Sequence, residues 1–158
     1  IDNPAVVRGR SILDFAAGSG LVGIAAARAG ASPVTCADID GFAACAIGLN
    51  AAANGVSVTP LITDIVGADQ GWDVVLAGDI FYERDLAARV SQWLAGLAER
   101  GATVLIGDPG RSYLPKDRLE ALATYRVPVT RALEDSEVKQ SCVWQFRQRG
   151  ADAGPSAL

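Results

Sequence analysis

The fold of this chain is decided by the stretch DFAAGSG, residues 14–20. A short apolar run, residues 11–15, leads into it, and residues 21–29 behind it carry apolar residues and alanine at helical spacing. Glycine lets the backbone turn sharply, and it leaves room for a ligand beside the N–H groups of a helix N-terminus. The stretch therefore predicts a strand, a ligand-binding glycine loop and a helix, in that order.

The same pairing of strand and helix recurs along the chain. Further strands are predicted at residues 33–37, 56–62, 73–77 and 102–107, and further helices at residues 42–53, 83–100 and 116–123. Such repetition predicts a parallel sheet with helices on both faces. The last two predicted strands, residues 125–133 and 138–147, are joined only by a turn at 134–137, so they must run antiparallel. We expect an α/β three-layer sandwich with a seven-stranded, mostly parallel sheet and one strand reversed by a terminal β-hairpin.

Length and composition indicate one domain. The chain has 158 residues, 50% of them hydrophobic, which is enough for a single core. We assign residues 1–150 to this domain and predict that residues 151–158 form a disordered tail. No apolar stretch is long enough to span a membrane and the start lacks the features of a signal peptide, so we expect a cytoplasmic protein without a membrane partner. Methionine is absent, and we therefore expect a trimmed or partial chain.

The charged residues and the lack of histidine restrict the chemistry. A net charge of −4, with Lys116 and Lys139 as the only lysines, disfavours a nucleic-acid partner. Without histidine there is no usual serine or cysteine triad, and most zinc sites are excluded. The three cysteines include no C-x-x-C pair. We therefore expect no metal and a chemistry based on carboxylates, hydroxyl groups, the backbone and a bound cofactor.

The glycine loop by itself leaves two cofactors open. With Gly23 it satisfies the dinucleotide fingerprint G-x-G-x-x-G, so NAD and S-adenosylmethionine (SAM) both fit. Asp38 ends the second strand, where a carboxylate can accept hydrogen bonds from the two hydroxyls of a ribose, which both cofactors contain. Asp64 follows the third strand and is either an acceptor for an adenine amino group or a solvated loop residue. We expect Asp40 to cap the next helix.

Two features favour SAM over NAD. Asp14 lies four residues before Gly18, where its carboxylate can organise the loop and reach toward an amino-acid ammonium group, which SAM has and NAD lacks. The terminal hairpin is the second feature, because a dinucleotide-binding fold is ordinarily completed by another parallel strand and its crossover helix. The sequence therefore predicts SAM as the cofactor.

Three motifs together carry a resemblance to a known family. They are D-x-x-x-G-x-G at 14–20, the acidic end of the second strand at Asp38, and GDIFYE at 78–83. In this combination the chain resembles the class I SAM-dependent methyltransferases, which have a Rossmann-like fold. The D-x-F-Y segment together with GDPGR at 107–111 resembles the branch of electron-transfer flavoprotein β-subunit lysine methyltransferases. The resemblance covers roughly residues 3–147.

The resemblance implies a methyltransferase that uses SAM and acts on a protein substrate presenting a lysine side chain. It places Asp14, Gly18 and Gly20 at the methionine end of SAM, Asp38 at the ribose and Asp64 at the adenine. Two alternatives stay open at this point. One is a small-molecule N-methyltransferase with the same cofactor residues, and the other is a noncatalytic nucleotide-binding domain or fragment.

The resemblance also implies that Asp79 and Tyr82 face the methyl acceptor. Asp79 is suited to capturing a lysine ammonium group. Tyr82 accepts a hydrogen bond from the amine or walls the channel, and the alternative is a packed core residue. Glu83, Asp85 and Asp108 are predicted at the same edge of the sheet, so an acidic mouth beside the acceptor is a further hypothesis, with helix capping as the alternative for Glu83 and Asp85.

Overall fold

The computed structural model describes residues 2–128 and 138–147. Its strands are β1 (Ile12–Phe15), β2 (Val34–Asp38), β3 (Thr59–Ile62), β4 (Val74–Gly78), β5 (Thr103–Asp108), β6 (Leu119–Pro128) and β7 (Val138–Phe146). Its α-helices are α1 (Leu21–Arg28), α2 (Gly41–Ala53) and α3 (Arg84–Glu99). Short 3-10 turns occupy Pro4–Val6 and Lys116–Arg118.

The seven strands form one sheet in the order β3-β2-β1-β4-β5-β7-β6. Strands β1 to β5 pair in parallel, and β7 is antiparallel to both of its neighbours. The predicted fold class, with a mostly parallel sheet and one reversed strand, is confirmed. Chain order reverses between β1 and β4, and in open α/β sheets the carboxyl ends of the strands beside such a point form the usual ligand crevice.

Helices cover both faces of the sheet because successive side chains of each strand point in opposite directions. On β4, Val75 and Ala77 belong to the apolar cluster under α3, whereas Val74 and Leu76 belong to the cluster under α1 and α2. The side chain of Asp40 caps α2 as expected, with its Oδ1 accepting a hydrogen bond from Phe42 N at 2.9 Å. Among the described residues, no helix has both the length and the apolar character needed to cross a bilayer. The cytoplasmic location stays a prediction.

The helix predicted at residues 116–123 is wrong. A single 3-10 turn is followed directly by β6, which begins at Leu119. Pro115 and the charged residues behind it imitate a helix start, but Leu119 is buried and pairs with Phe146 of β7. Pairing with a neighbouring strand thus overrides the helix preference of Leu, Glu and Ala here. The end of the strand predicted at 125–133, the turn at 134–137 and the tail at 151–158 lie outside the described residues.

Candidate active site

A cavity of about 340 Å³ opens at the carboxyl ends of β1 to β4. Four of the predicted site residues line it: Asp38, Asp64, Asp79 and Tyr82. The other three do not line it: Asp14, Gly18 and Gly20. A larger cavity of about 600 Å³, beside Leu76 and Leu105, contains none of the predicted residues. Position in the sheet, rather than volume, therefore distinguishes the candidate site.

The wall of the 340 Å³ cavity is partly apolar. Phe15, Val66, Ile80 and Leu86 contribute to it. Phe15 is held from behind by Trp93 of α3, whose ring lies edge-on at 4.9 Å between centroids and 69° between planes. Such an edge-to-face pair has a defined geometry, so the wall beside β1 is held in a fixed place.

Asp14 lies behind the glycine loop rather than in the cavity. Its Oδ2 accepts a hydrogen bond from Gly23 N at 2.7 Å, and the residue is 2% exposed. Burial raises the pKa of this carboxyl to about 6, with a smaller contribution from the charge of Asp38, although the Gly23 hydrogen bond opposes the rise. Asp14 therefore joins β1 to α1, and its contact with an ammonium group stays a prediction.

Asp38 connects the cavity to the glycine loop. Its Oδ2 accepts a hydrogen bond from Gly18 N at 2.8 Å, and its Oδ1 accepts one from Asp40 N at 3.0 Å. Gly18 and Gly20 both have positive φ, +52° and +80°. A Cβ on Gly20 would lie 3.0 Å from Ile47 Cγ1, whereas a Cβ on Gly18 would have no neighbour within 4 Å. A side chain at Gly20 would thus crowd Ile47, while Gly18 leaves its side of the loop open.

Asp64 is paired with an arginine that the sequence did not indicate. Its Oδ2 lies 2.7 Å from Arg89 Nη2, and its Oδ1 accepts a hydrogen bond from Val66 N at 3.0 Å. The Arg89 hydrogen bond, followed by that from Val66, lowers the pKa of Asp64. Arg89 comes from the middle of α3, 25 residues along the chain. No spacing rule links the two residues, and only the fold brings them together.

Asp79 has an unusual backbone and a specific ion pair. Its φ is +53°, and its N–H donates to the carbonyl oxygen of Gly107 at 2.8 Å. Asp79 and Ala16 are the non-glycine residues with positive φ in the described part of the chain, and both line the cavity. Unfavourable backbone conformations of this kind concentrate at functional sites. The Asp79 carboxylate accepts hydrogen bonds from Arg111 Nε at 2.6 Å and Arg111 Nη2 at 2.8 Å.

The acidic mouth proposed from the sequence does not include Asp108. That residue is fully buried, and its Oδ1 accepts hydrogen bonds from Gly110 N at 2.6 Å and Arg111 N at 2.7 Å. Asp108 therefore shapes the loop after β5 instead of facing a substrate. Tyr82, in contrast, is 61% exposed at the cavity, so it is not a core residue.

Comparison with known proteins identifies the family. Residues 3–96 match the family model described as ribosomal protein L11 methyltransferase (PrmA). The electron transfer flavoprotein beta subunit lysine methyltransferases of Mus musculus and Homo sapiens are each 40% identical to this chain, covering 92% and 93% of it. The chain covers 60% and 59% of those two proteins, so it spans only part of their length.

The crystal structure of ribosomal protein L11 methylase from Lactobacillus delbrueckii subsp. bulgaricus has the same fold. The match has a TM-score of 0.61 at 19% identity and covers 91% of this chain and 73% of that one. The resemblance to class I methyltransferases, and to the flavoprotein lysine methyltransferase branch, is confirmed by these matches. The chain belongs to the ribosomal protein L11 methyltransferase (PrmA) family.

Proposed function

We propose that this protein is a SAM-dependent methyltransferase that methylates a lysine side chain of a protein such as the electron transfer flavoprotein β subunit. The observation that carries the proposal is the cavity that gathers Asp38, Asp79 and Tyr82 at the carboxyl ends of β1 to β4. The 40% identity to lysine methyltransferases over 92% of the chain supports the choice of acceptor. The net charge of −4 also suits a cationic lysine better than a nucleic acid.

The residues at the cavity fit SAM. Asp38 offers carboxylate oxygens to a ribose, and the apolar wall suits a purine ring. Asp14, Gly18 and Gly20 would hold the methionine end, where the open side of Gly18 allows close approach to the backbone. Asp64 would lie near the adenine, sharing its carboxylate with Arg89. We propose that no metal takes part.

When bound, SAM supplies an electrophilic methyl carbon, so that the amine lone pair forms the C–N bond while the C–S bond breaks and leaves its electron pair on sulfur. The protein's task is to orient the amine and exclude water. Asp79 orients the acceptor nitrogen through its carboxylate, and Tyr82 walls the entrance. A free lysine has a pKa of about 10.4, so its ammonium group must first lose a proton, which passes to water.

The direct test is to incubate the protein with methyl-labelled SAM and purified electron transfer flavoprotein β subunit, and to locate the label by mass spectrometry. Asp79→Asn is the informative variant because asparagine tolerates positive φ and has nearly the same shape. We expect it to reduce methyl transfer at least about tenfold. SAM affinity, measured by calorimetry, should change little.

Two results would contradict the proposal. If SAM binds but no protein lysine is labelled, the chain is not a lysine methyltransferase by itself. If Asp79→Asn turns over as fast as the unmodified protein, Asp79 has no part in the reaction. Loss of SAM binding in the variant would instead assign Asp79 to the cofactor.

A further inference from the structure

The Asp79 carboxylate already holds a cation from the protein itself. Arg111 reaches it with two nitrogens, at 2.6 Å to Oδ1 and 2.8 Å to Oδ2. This two-point arrangement is the strong, planar form of an arginine–carboxylate pair. The backbone of Arg111 is fixed as well, because its N–H donates to the buried Asp108. The loop after β5 is therefore built to deliver this guanidinium group to Asp79.

The ion pair determines the charge that an incoming lysine meets. Within the described residues, the charged and titratable side chains that face Asp79 and the cavity come from β2, from the loops after β3, β4 and β5, and from α3: Asp38, Asp64, Tyr82, Arg111 and Arg89. Together with Asp79, this described set contains three carboxylates and two guanidinium groups, a net charge of −1. Without Arg111 the net charge of the same set would be −2. A sulfonium cofactor brings one further positive charge.

We propose that Arg111 is a positioning residue that sets the protonation state of the acceptor lysine by neutralising Asp79. This inference rests on the proposed lysine methyltransferase function. A bare carboxylate within about 4–6 Å would hold the lysine in its ammonium form, which cannot attack because its lone pair carries a proton. With Arg111 bound to it, Asp79 orients the nitrogen without retaining that proton. The proton then passes to water and the lone pair becomes free to form the C–N bond.

The consequence is a defined change in pH dependence. In Arg111→Gln the guanidinium charge beside Asp79 is lost, which raises the pKa of the bound lysine, so the rising limb of kcat against pH moves to higher pH. At pH 7.5, well below that pKa, a shift of one unit reduces the reactive fraction and kcat about tenfold. The difference should narrow only as the pH approaches and passes the pKa of the bound lysine. KM for the acceptor should stay the same or fall, because Asp79 without this guanidinium group holds the ammonium group more tightly.

The experiment measures kcat and KM from pH 6.5 to about 11, a range that includes the usual lysine pKa, with labelled SAM at saturation and the electron transfer flavoprotein β subunit as acceptor. Arg111→Lys keeps a positive charge and should restore a profile close to that of the unmodified protein. Arg126→Gln, which removes an exposed arginine from β6, is the matched control and should not move the profile. Thermal unfolding and SAM affinity are measured for each variant.

A loss of activity in Arg111→Gln that stays equal beyond the pH at which kcat of the unmodified protein levels off overturns the inference, because a merely structural role would reduce kcat uniformly. An unchanged profile overturns it too. Both results leave the proposed function intact, because the unmodified protein still transfers methyl groups in the same assay. If the unmodified protein labels no lysine at any pH, the proposed function fails, and the inference fails with it.

Discussion

Asp14 combines a structural contact with an unfavourable charge. Its carboxylate is 2% exposed and accepts a hydrogen bond from Gly23 N, yet burial raises its pKa from 3.8 to about 6. A raised pKa means that the folded state binds this proton more tightly than the unfolded chain does. The stability that Asp14 contributes is therefore fully present below pH 3.8 and is lost as the pH rises through about 6.

We predict that Asp14→Asn removes this pH dependence. The difference in unfolding free energy between variant and unmodified protein should grow in the variant's favour from pH 4 to pH 6.5, by on the order of 2–3 kcal/mol, and then level off. Urea titrations at several pH values measure it. Asp73→Asn is a control of opposite sign, because hydrogen bonds from Ser11 lower the pKa of Asp73. The unfolding free energy that Asp73→Asn loses relative to the unmodified protein should be lost in full at pH 7, and the loss should shrink as the pH falls. If the difference in unfolding free energy between Asp14→Asn and the unmodified protein does not change with pH, the raised pKa of Asp14 is contradicted.

At the residue scale, sequence patterns could locate the candidate carboxylates but not their partners. Asp38 ends a strand, and Asp64 and Asp79 each come shortly after one, so their position at one edge of the sheet could be predicted. Arg89 and Arg111 were not assigned roles, although Arg111 lies in the quoted GDPGR motif. Ion pairs between residues 25 and 32 positions apart depend on loop geometry and helix orientation, which a single sequence does not determine.

At the scale of elements, Gly23 controls how closely α1 approaches the sheet. A Cβ there would lie 2.4 Å from Cys36 Sγ and 3.0 Å from Asp14 Oδ2, so α1 would have to move away from β1 and β2. The third glycine of the fingerprint therefore serves helix–strand packing. This packing contact depends on the whole strand–loop–helix unit, whereas the motif in the sequence indicated only a cofactor-binding loop.

We predict that Gly23→Ala destabilises the protein by about 1–3 kcal/mol, the usual cost of overpacking a close contact. Gly48→Ala is the matched control, because Gly48 lies in α2 with no atom within 4 Å of its Cβ position. That variant should be more stable by about 0.5–1 kcal/mol, since alanine favours a helix. Urea unfolding compares the two. Equal stability of both variants would mean that α1 adjusts without cost.

Helices and strands could be predicted where the hydrophobic periodicity and the positions of glycine indicated the same element. They could not be predicted where these two patterns disagreed. Strands β1 to β5 end in glycine or acidic turns, and each was placed within a few residues. The start of β6 was missed because Leu119 to Ala123 is composed of helix-favouring residues. Its strand conformation comes from pairing with β7, in which Leu119 meets Phe146, 27 positions along the chain. Non-local pairing of this kind leaves little trace in local composition.

At the scale of the whole molecule, the terminal strands share a core with the parallel part of the sheet. Trp72 and Trp93 belong to the cluster under α3, and Trp144 and Phe146 of β7 pack against that same cluster. Strand β7 also pairs with β5 along the sheet. Continuous packing and hydrogen bonding across these strands favour a single cooperative unit, which is what the prediction of one domain over residues 1–150 requires.

We therefore predict that the hairpin strands and the parallel sheet unfold together. In the variant Trp72→Phe, Trp93→Phe, fluorescence reports only on Trp144, because the chain has three tryptophans. Circular dichroism of the same variant follows all helices and strands, so any loss of stability affects both signals equally. The two urea transitions should have the same midpoint and steepness, since a two-state protein gives coincident transitions with every probe. A Trp144 transition at lower urea would mean that β6 and β7 separate first, and residues 1–150 would then not behave as one domain.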